Sequence, residues 1–312
     1  MKILKPKFWD QNYFTFLSVL LFPISLLYRM VVYLKNINSN QKEFSIPIIC
    51  VGNIYIGGTG KTPISIKINK IISNLNYSTV FIKKNYPDQI DEQKILSSHG
   101  KLLCNKERTD ALKEAINEKI KVAIFDDGLQ DKRLGYDIAF VCFNVENWIG
   151  NGLTIPAGPL RENIKSLKKY DAVFLNGNGE ETSEIENIVK NVKPNIEIFK
   201  SEYVPLNLKE IKNDKNYLAF SGIGSPKTFI KTLKKNNFKI IKTLNFPDHY
   251  NYTSKDIIKI KETAKDLGAR IITTEKDYNR LSKLNSQDIE YLSIELKVLN
   301  EKELINFLNK KL

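Results

Sequence analysis

Gly57-Gly58-Thr59-Gly60-Lys61-Thr62-Pro63 gathers three glycines, an amine and two hydroxyls into seven residues. Glycines allow successive backbone N–H groups to close around phosphate oxygens. A lysine there reaches the β- and γ-phosphates, and a threonine hydroxyl can ligate Mg2+. The run is a candidate contact surface for ATP, with Lys61 also a candidate catalytic cation and Thr62 a candidate metal ligand. A second set is Asp126-Asp127-Gly128, at the end of the apolar run Val122–Phe125. A buried strand that delivers a carboxylate beside the loop supplies the rest of a magnesium shell. A third is Asn151–Glu162 (NGLTIPAGPLRE), whose Pro and Gly content forces an irregular loop. It ends in Arg161 and Glu162, a cation for a transferring phosphate and a carboxylate for the metal. The fourth is His249 in Phe246–Tyr252 (FPDHYNY), able to carry a proton or to orient a base.

These residues need a rigid frame. Ser45–Gly52 (SIPIICVG) reads as a buried parallel strand entering the glycine-rich loop, and residues from Ile64 to Leu75 read as the helix leaving it. Thr79–Ile82, Val122–Phe125, Ile138–Phe143 and Ala172–Leu175 read as further strands, with helical patterns between several of them. That alternation predicts an α/β fold built on a P-loop NTPase parallel sheet. A strict phosphate loop has glycine five residues before Gly60. Tyr55 stands there, so the loop is a variant.

The chain has 312 residues, 42% of them hydrophobic, enough for a sizeable core and too apolar for global disorder. Three cysteines, Cys50, Cys104 and Cys142, lack metal-ligand spacing and lie in or beside apolar runs, which suits reduced thiols. Two histidines, His99 and His249, exclude a His-rich zinc site. The net charge of +13 is uneven: +4 over residues 1–43, +1 over 44–207 and +8 over 208–312. An anionic membrane, an anionic substrate or nucleic acid would each attract the basic ends. Asn12 to Tyr28 is an uncharged, largely apolar run with Lys2, Lys5 and Lys7 before it and Arg29 and Lys35 after it. On a helix, Thr15, Ser18, Phe22, Ser25 and Arg29 form one narrow, mostly polar stripe, and the remaining circumference is apolar. The expectation is a helix lying in a bilayer surface, with Pro23 interrupting it. The predicted organisation is a membrane-associating helix over 1–40, a P-loop core over 41–205 and a smaller C-terminal α/β domain over 206–312.

Taken together, the motifs resemble the tetraacyldisaccharide 4'-kinase family, the lipid A 4'-kinases of Gram-negative bacteria. The matching pieces are Val51-Gly52-Asn53, Gly57–Pro63, Asp126-Asp127-Gly128-Leu129-Gln130, Gly150–Glu162, Ser221–Pro226, Phe246–His249 and Thr274-Glu275-Lys276-Asp277, in the family's order. The resemblance implies ATP and Mg2+, and transfer of the γ-phosphoryl group to the 4'-hydroxyl of a tetraacylated disaccharide 1-phosphate to give lipid IVA. It also implies work at the cytoplasmic face of the inner membrane, on an anionic surface, with neither nucleic acid nor a protein as partner. By motif position it implies that Asp126, Asp127, Gln130 and Glu162 join Thr62 around the metal. Arg161 becomes a cleft arginine, Asp91 the base with His249 as its partner, and Tyr86 and Arg108 acceptor contacts. The chain departs from the family on the acceptor side. Lys84-Asn85-Tyr86-Pro87 replaces Arg-Gly-Tyr-Gly, Ile90 and Gln93 flank the Asp-Glu pair in place of Gly and Pro, and Asp131 stands where a His is common.

The residues alone leave two other readings open. A membrane-surface P-loop ATPase of the protein-positioning type would carry a Lys at Ile56. A nucleic-acid binder would show a basic-aromatic sheet motif or a helix-turn-helix pattern.

Overall fold

A computed structural model describes the chain except residues 1–4, 38–40, 87–88, 212–213, 282–283 and 285, and the side chains of 35–37. In chain order the elements are α1 (Phe16–Ile37), β1 (Ile48–Gly52), α2 (Lys61–Asn74), β2 (Thr79–Lys84), α3 (Ile90–His99), β3 (Leu102–Asn105), α4 (Arg108–Asn117), β4 (Val122–Asp126), β5 (Ile138–Asn144), β6 (Ala172–Gly177), α5 (Ser183–Val192) and β7 (Glu197–Pro205). They continue with β8 (Asn216–Ser221), α6 (Pro226–Lys235), β9 (Lys239–Asn245), α7 (Ser254–Asp266), β10 (Arg270–Thr274), α8 (Glu275–Arg280), β11 (Ile289–Leu292), β12 (Ile294–Val298) and α9 (Glu301–Lys311).

The chain forms two compact units. One holds Pro6–Ser201 and Val298–Leu312, and the other holds Glu202–Lys297. In the larger unit the sheet runs β7-β6-β5-β1-β4-β2-β3. Strand β1 pairs in parallel with β4 and β5, β2 with β4 and β3, and β5 with β6. Every residue of β1, β4, β5 and β6 is buried, so these strands read as continuous apolar runs, as covered parallel strands do. Helix α2 covers the sheet with Ile64, Ile68, Ile71 and Ile72, spaced for one helical face. In the smaller unit an all-parallel sheet runs β11-β10-β8-β9. Its β10–α8 junction is capped by Thr274, whose hydroxyl accepts from the Asp277 amide.

The last helix departs from the expected division at residue 206. Residues 298–312 group with the larger unit, where Leu304 and Leu308 are buried and Phe307 packs on Phe140 and Phe199. The physical reason is an aromatic cluster over β5, β6 and β7 that α9 completes, with Lys67–Glu301 and Lys311–Asp171 ion pairs at its two ends.

Helix α1 runs unbroken through Pro23. Thr15 and Ser18 start it by reciprocal bonds, each amide donating to the other's hydroxyl. The two serines of the stripe turn inward while its Phe22 and Arg29 are exposed: Ser18 and Ser25 are buried, and the Ser25 hydroxyl donates to Thr154 O and accepts from the Ala157 amide. The apolar remainder faces out. Phe16–Leu34 has a mean hydropathy of 1.9 and is 11% buried.

Candidate active site

The phosphate loop is held by backbone geometry and buried amides. Gly60, at φ 80°, caps α2 in the left-handed region, where a Cβ is costly. Asn53 Nδ2 donates to Thr59 Oγ1 (3.1 Å), and Asn176 Nδ2 donates to Thr59 O (2.5 Å). The Tyr55 substitution has a structural counterpart. Tyr55 is fully buried, bridges Leu160 in antiparallel fashion and donates its hydroxyl to Asp10 (2.9 Å). Beside it the Ile56 amide donates to Pro159 O (2.9 Å) and the Arg161 amide to Ile54 O (2.7 Å). The irregular loop is thus zipped onto the phosphate loop, and Arg161 is delivered to it by main-chain bonds. Helix α1 adds a strut, with Tyr28 Oη donating to Arg161 O (3.1 Å).

Asp126 ends β4 fully buried. It accepts from Thr62 Oγ1 (3.1 Å), Ser65 Oγ (3.2 Å) and Lys83 Nζ (2.6 Å). Asp127 takes a left-handed φ of 61° and faces two cations, Arg161 Nη1 at 3.1 Å and Lys61 Nζ at 3.7 Å. Burial by itself would raise its pKa, but Lys61 and then Arg161 outweigh that and hold the carboxyl below its ordinary value. Gln130 spans the gap, its Nε2 donating to Asn53 O (2.9 Å) and its Oε1 accepting from Arg161 (3.0 Å). Arg108, largely buried, donates to Asp127 O (2.5 Å) and lies 3.7 Å from Asp131, the residue at the family's His position. Glu162 accepts from Tyr170 Oη (3.0 Å), with Lys132 at 3.7 Å.

Lys61, Thr62, Asp126, Asp127, Gln130, Arg161 and Arg108 therefore form one connected cluster at the strand ends. Glu162 leaves that loop toward Tyr170 and Lys132. Asp91 lies in the first turn of α3, and its neighbour Glu92 bonds Lys83 Nζ (2.8 Å). Tyr86 is exposed, with Lys84 Nζ 5.6 Å from its ring centre. His249 belongs to the smaller unit and has a left-handed φ of 55°. Its amide donates to Gly222 O (3.1 Å), and Arg280 Nη2 lies 3.4 Å from its Nδ1. Arg280 is itself paired with fully buried Asp277 (2.8 Å), which accepts from the Gly222 amide (3.0 Å). Three sequence motifs of that unit converge on one histidine.

Sequence reading missed Lys83, Ser65 and Asn176. Ser65 had a usable signal, one helical turn after Lys61 on the buried face of α2. Lys83 had none. The strand was expected to stop at Ile82, and it continues to Lys84.

A profile described as tetraacyldisaccharide-1-P 4'-kinase matches residues 17–312. A protein of that name from Pelagibacter ubique (strain HTCC1062) is 53% identical over 99% of this chain and 98% of its own length. One from Rickettsia canadensis (strain McKiel) is 36% identical over 100% and 97%. The crystal structure of LpxK from Aquifex aeolicus in complex with ATP superposes with a TM-score of 0.68 at 22% identity. The match covers 95% of this chain and 99% of that one, so the fold is shared across both.

Proposed function

This chain belongs to the tetraacyldisaccharide-1-P 4'-kinase family, and from that premise we propose how its residues perform the transfer. It is an ATP-dependent lipid A 4'-kinase, acting on the 4'-hydroxyl of tetraacyldisaccharide 1-phosphate. Phosphoryl transfer demands positioning and charge neutralisation more than covalent help from the protein. Residues 57–63 cradle the phosphates, Lys61 stands at the β- and γ-phosphates, and Arg161 faces the transferring group. The observation that carries this reading is Asp127 held between Lys61 and Arg161, which parks both cations at the loop mouth before substrate arrives.

Thr62 Oγ1 and the Asp126 carboxylate, 3.1 Å apart beside the loop, are hard oxygen donors of the kind that hold Mg2+ with one or two protein groups. Bound there, the ion would neutralise charge on the β- and γ-phosphate oxygens. Asp127, Gln130 and Glu162 complete the polar surround in this reading. Asp91 accepts the proton of the attacking hydroxyl, with His249 as its partner. The acceptor oxygen forms its bond to Pγ as the bond to the β-phosphate oxygen breaks, and ADP leaves. Tyr86 and Arg108 contact the acceptor. The test is ADP production with and without tetraacyldisaccharide 1-phosphate. A burst of turnover that requires the acceptor is expected, and equal turnover without it would overturn the assignment.

The acceptor is acylated and stays in a bilayer, so the enzyme must work at one. The outward apolar face of α1 and the basic flanks of its sequence support peripheral or monotopic attachment to the anionic cytoplasmic face of the inner membrane. Replacing exposed Leu20, Leu27 and Val31 together by Asn leaves the Ser25 bonds in place. It should shift the protein from anionic vesicles to supernatant in a sedimentation assay. Unchanged binding would remove α1 from the attachment.

A further inference from the structure

Lys83 is among the least exposed charged residues of the chain, at 1%. The parallel register pairs Ile82 with Phe125, so Lys83 and Asp126 follow as neighbours on adjacent strand ends. Its ammonium lies 2.6 Å from Asp126 Oδ2 and 2.8 Å from Glu92 Oε2. A cation this buried persists only when paired and hydrogen-bonded, and here two carboxylates share it. The two belong to different parts of the machinery. Asp126 is bonded to Thr62 and Ser65 of the phosphate-loop helix, and Glu92 sits in the first turn of α3, next to Asp91.

We propose that Lys83 is a positioning residue for phosphoryl transfer: by holding Glu92 against Asp126 it fixes the first turn of α3, and with it Asp91, relative to the phosphate loop. The proposal rests on the reading of Asp91 as the base. A base must lie within hydrogen-bond reach of the hydroxyl it deprotonates, and a displacement of about 1 Å can cost on the order of 10²-fold in rate. The ion pair sets that distance without touching substrate.

The test uses the full-length protein and three measurements: acceptor-dependent kcat and KM, ATP·Mg2+ affinity by calorimetry, and hydrogen exchange of α3 amides without substrates. Lys83→Met, which keeps length and removes charge, should lower kcat about 10- to 100-fold. ATP affinity should stay within about threefold, a split that marks loss of transition-state positioning rather than of nucleotide binding. Amides of the first turn of α3 should exchange faster. Lys83→Arg should recover most of the rate. Combining Lys83→Met with Glu92→Gln should be little worse than Lys83→Met alone, since both remove one contact. Should Lys83→Met fail to fold, Glu92→Gln, which leaves the Lys83–Asp126 pair, must show the same faster α3 exchange and slower kcat. Wild-type kcat, unchanged α3 exchange, or a loss wholly accounted for by ATP affinity would each overturn the proposal. Near-wild-type activity in Asp91→Ala, with α3 still loosened by Lys83→Met, would instead sink the base assignment and leave the tether standing.

Discussion

The phosphate loop and the described residues between Lys84 and Gln93 follow the ends of strands in the same sheet, yet they are held in opposite ways. The loop is gripped on every side. Buried amides of Asn53 and Asn176 hold Thr59, and main-chain bonds from Ile56 and Arg161 zip a second loop onto it. The other segment leaves Tyr86 and Ile90 exposed, and the bonds of Gln93 to Asn85 and Tyr86 are long, at 3.5 and 3.4 Å. One short anchor among its described residues is the Lys83–Glu92 pair, at 2.8 Å. Rigidity is invested on the side assigned to phosphate, where preorganised dipoles and cations would act without reorganisation. On the side assigned to the acceptor the Lys83–Glu92 pair is a short ionic tether, so substitutions on the two sides should fail differently.

The largest effect is expected at the tethered side. Asp91→Ala should lower kcat by about 10²- to 10⁴-fold with ATP affinity retained. His249→Ala should do likewise if the two act as one unit, and the double variant should be little worse than the poorer single one. Steady-state kinetics of the three proteins check this, and fully multiplicative losses would separate the residues. Next, Lys61→Ala should cost about 10²- to 10³-fold in kcat, because a preorganised charge is lost in a water-poor site. Wild-type turnover there would erase the contrast between the two sides. A smaller effect is expected at Tyr86→Ala, a rise in acceptor KM with kcat nearly kept and melting temperature unchanged, since the ring is exposed and packs on Lys84. A large loss of stability would show the segment to be as firmly built as the loop.

The smallest effect concerns acid. The folded carboxyl of Asp127 titrates below its ordinary value of 3.8, so its stabilisation is complete above that value and is lost as pH falls through the folded one. Urea unfolding of Asp127→Asn should therefore show a deficit at neutral pH that shrinks at the acid end. A deficit independent of pH would mean that Lys61 and Arg161 contribute nothing to that carboxylate.

Local chemistry made much of this legible in advance. Gly57–Pro63 was readable because seven consecutive residues carry the geometry, and Asp126 because an apolar strand ends on it. The stripe of Thr15, Ser18 and Ser25 was readable as periodicity, but which face meets the protein was not. The Ser25 bonds to Thr154 and Ala157 show the serine side meeting the protein.

The sequence by itself determined the glycine-rich strand–loop–helix assigned to phosphate, the strand that ends on Asp126 and the apolar N-terminal helix, because each is encoded within a single contiguous segment. The tertiary structure decided the rest. It carried β2 through Lys83 to meet Asp126, 43 residues away, and assigned α9 to the larger unit through Phe307. It also gave Tyr55 a partner in Leu160 that no phosphate-loop pattern anticipates. Such contacts depend on which strands become neighbours, a choice made by burying apolar surface over the whole sheet.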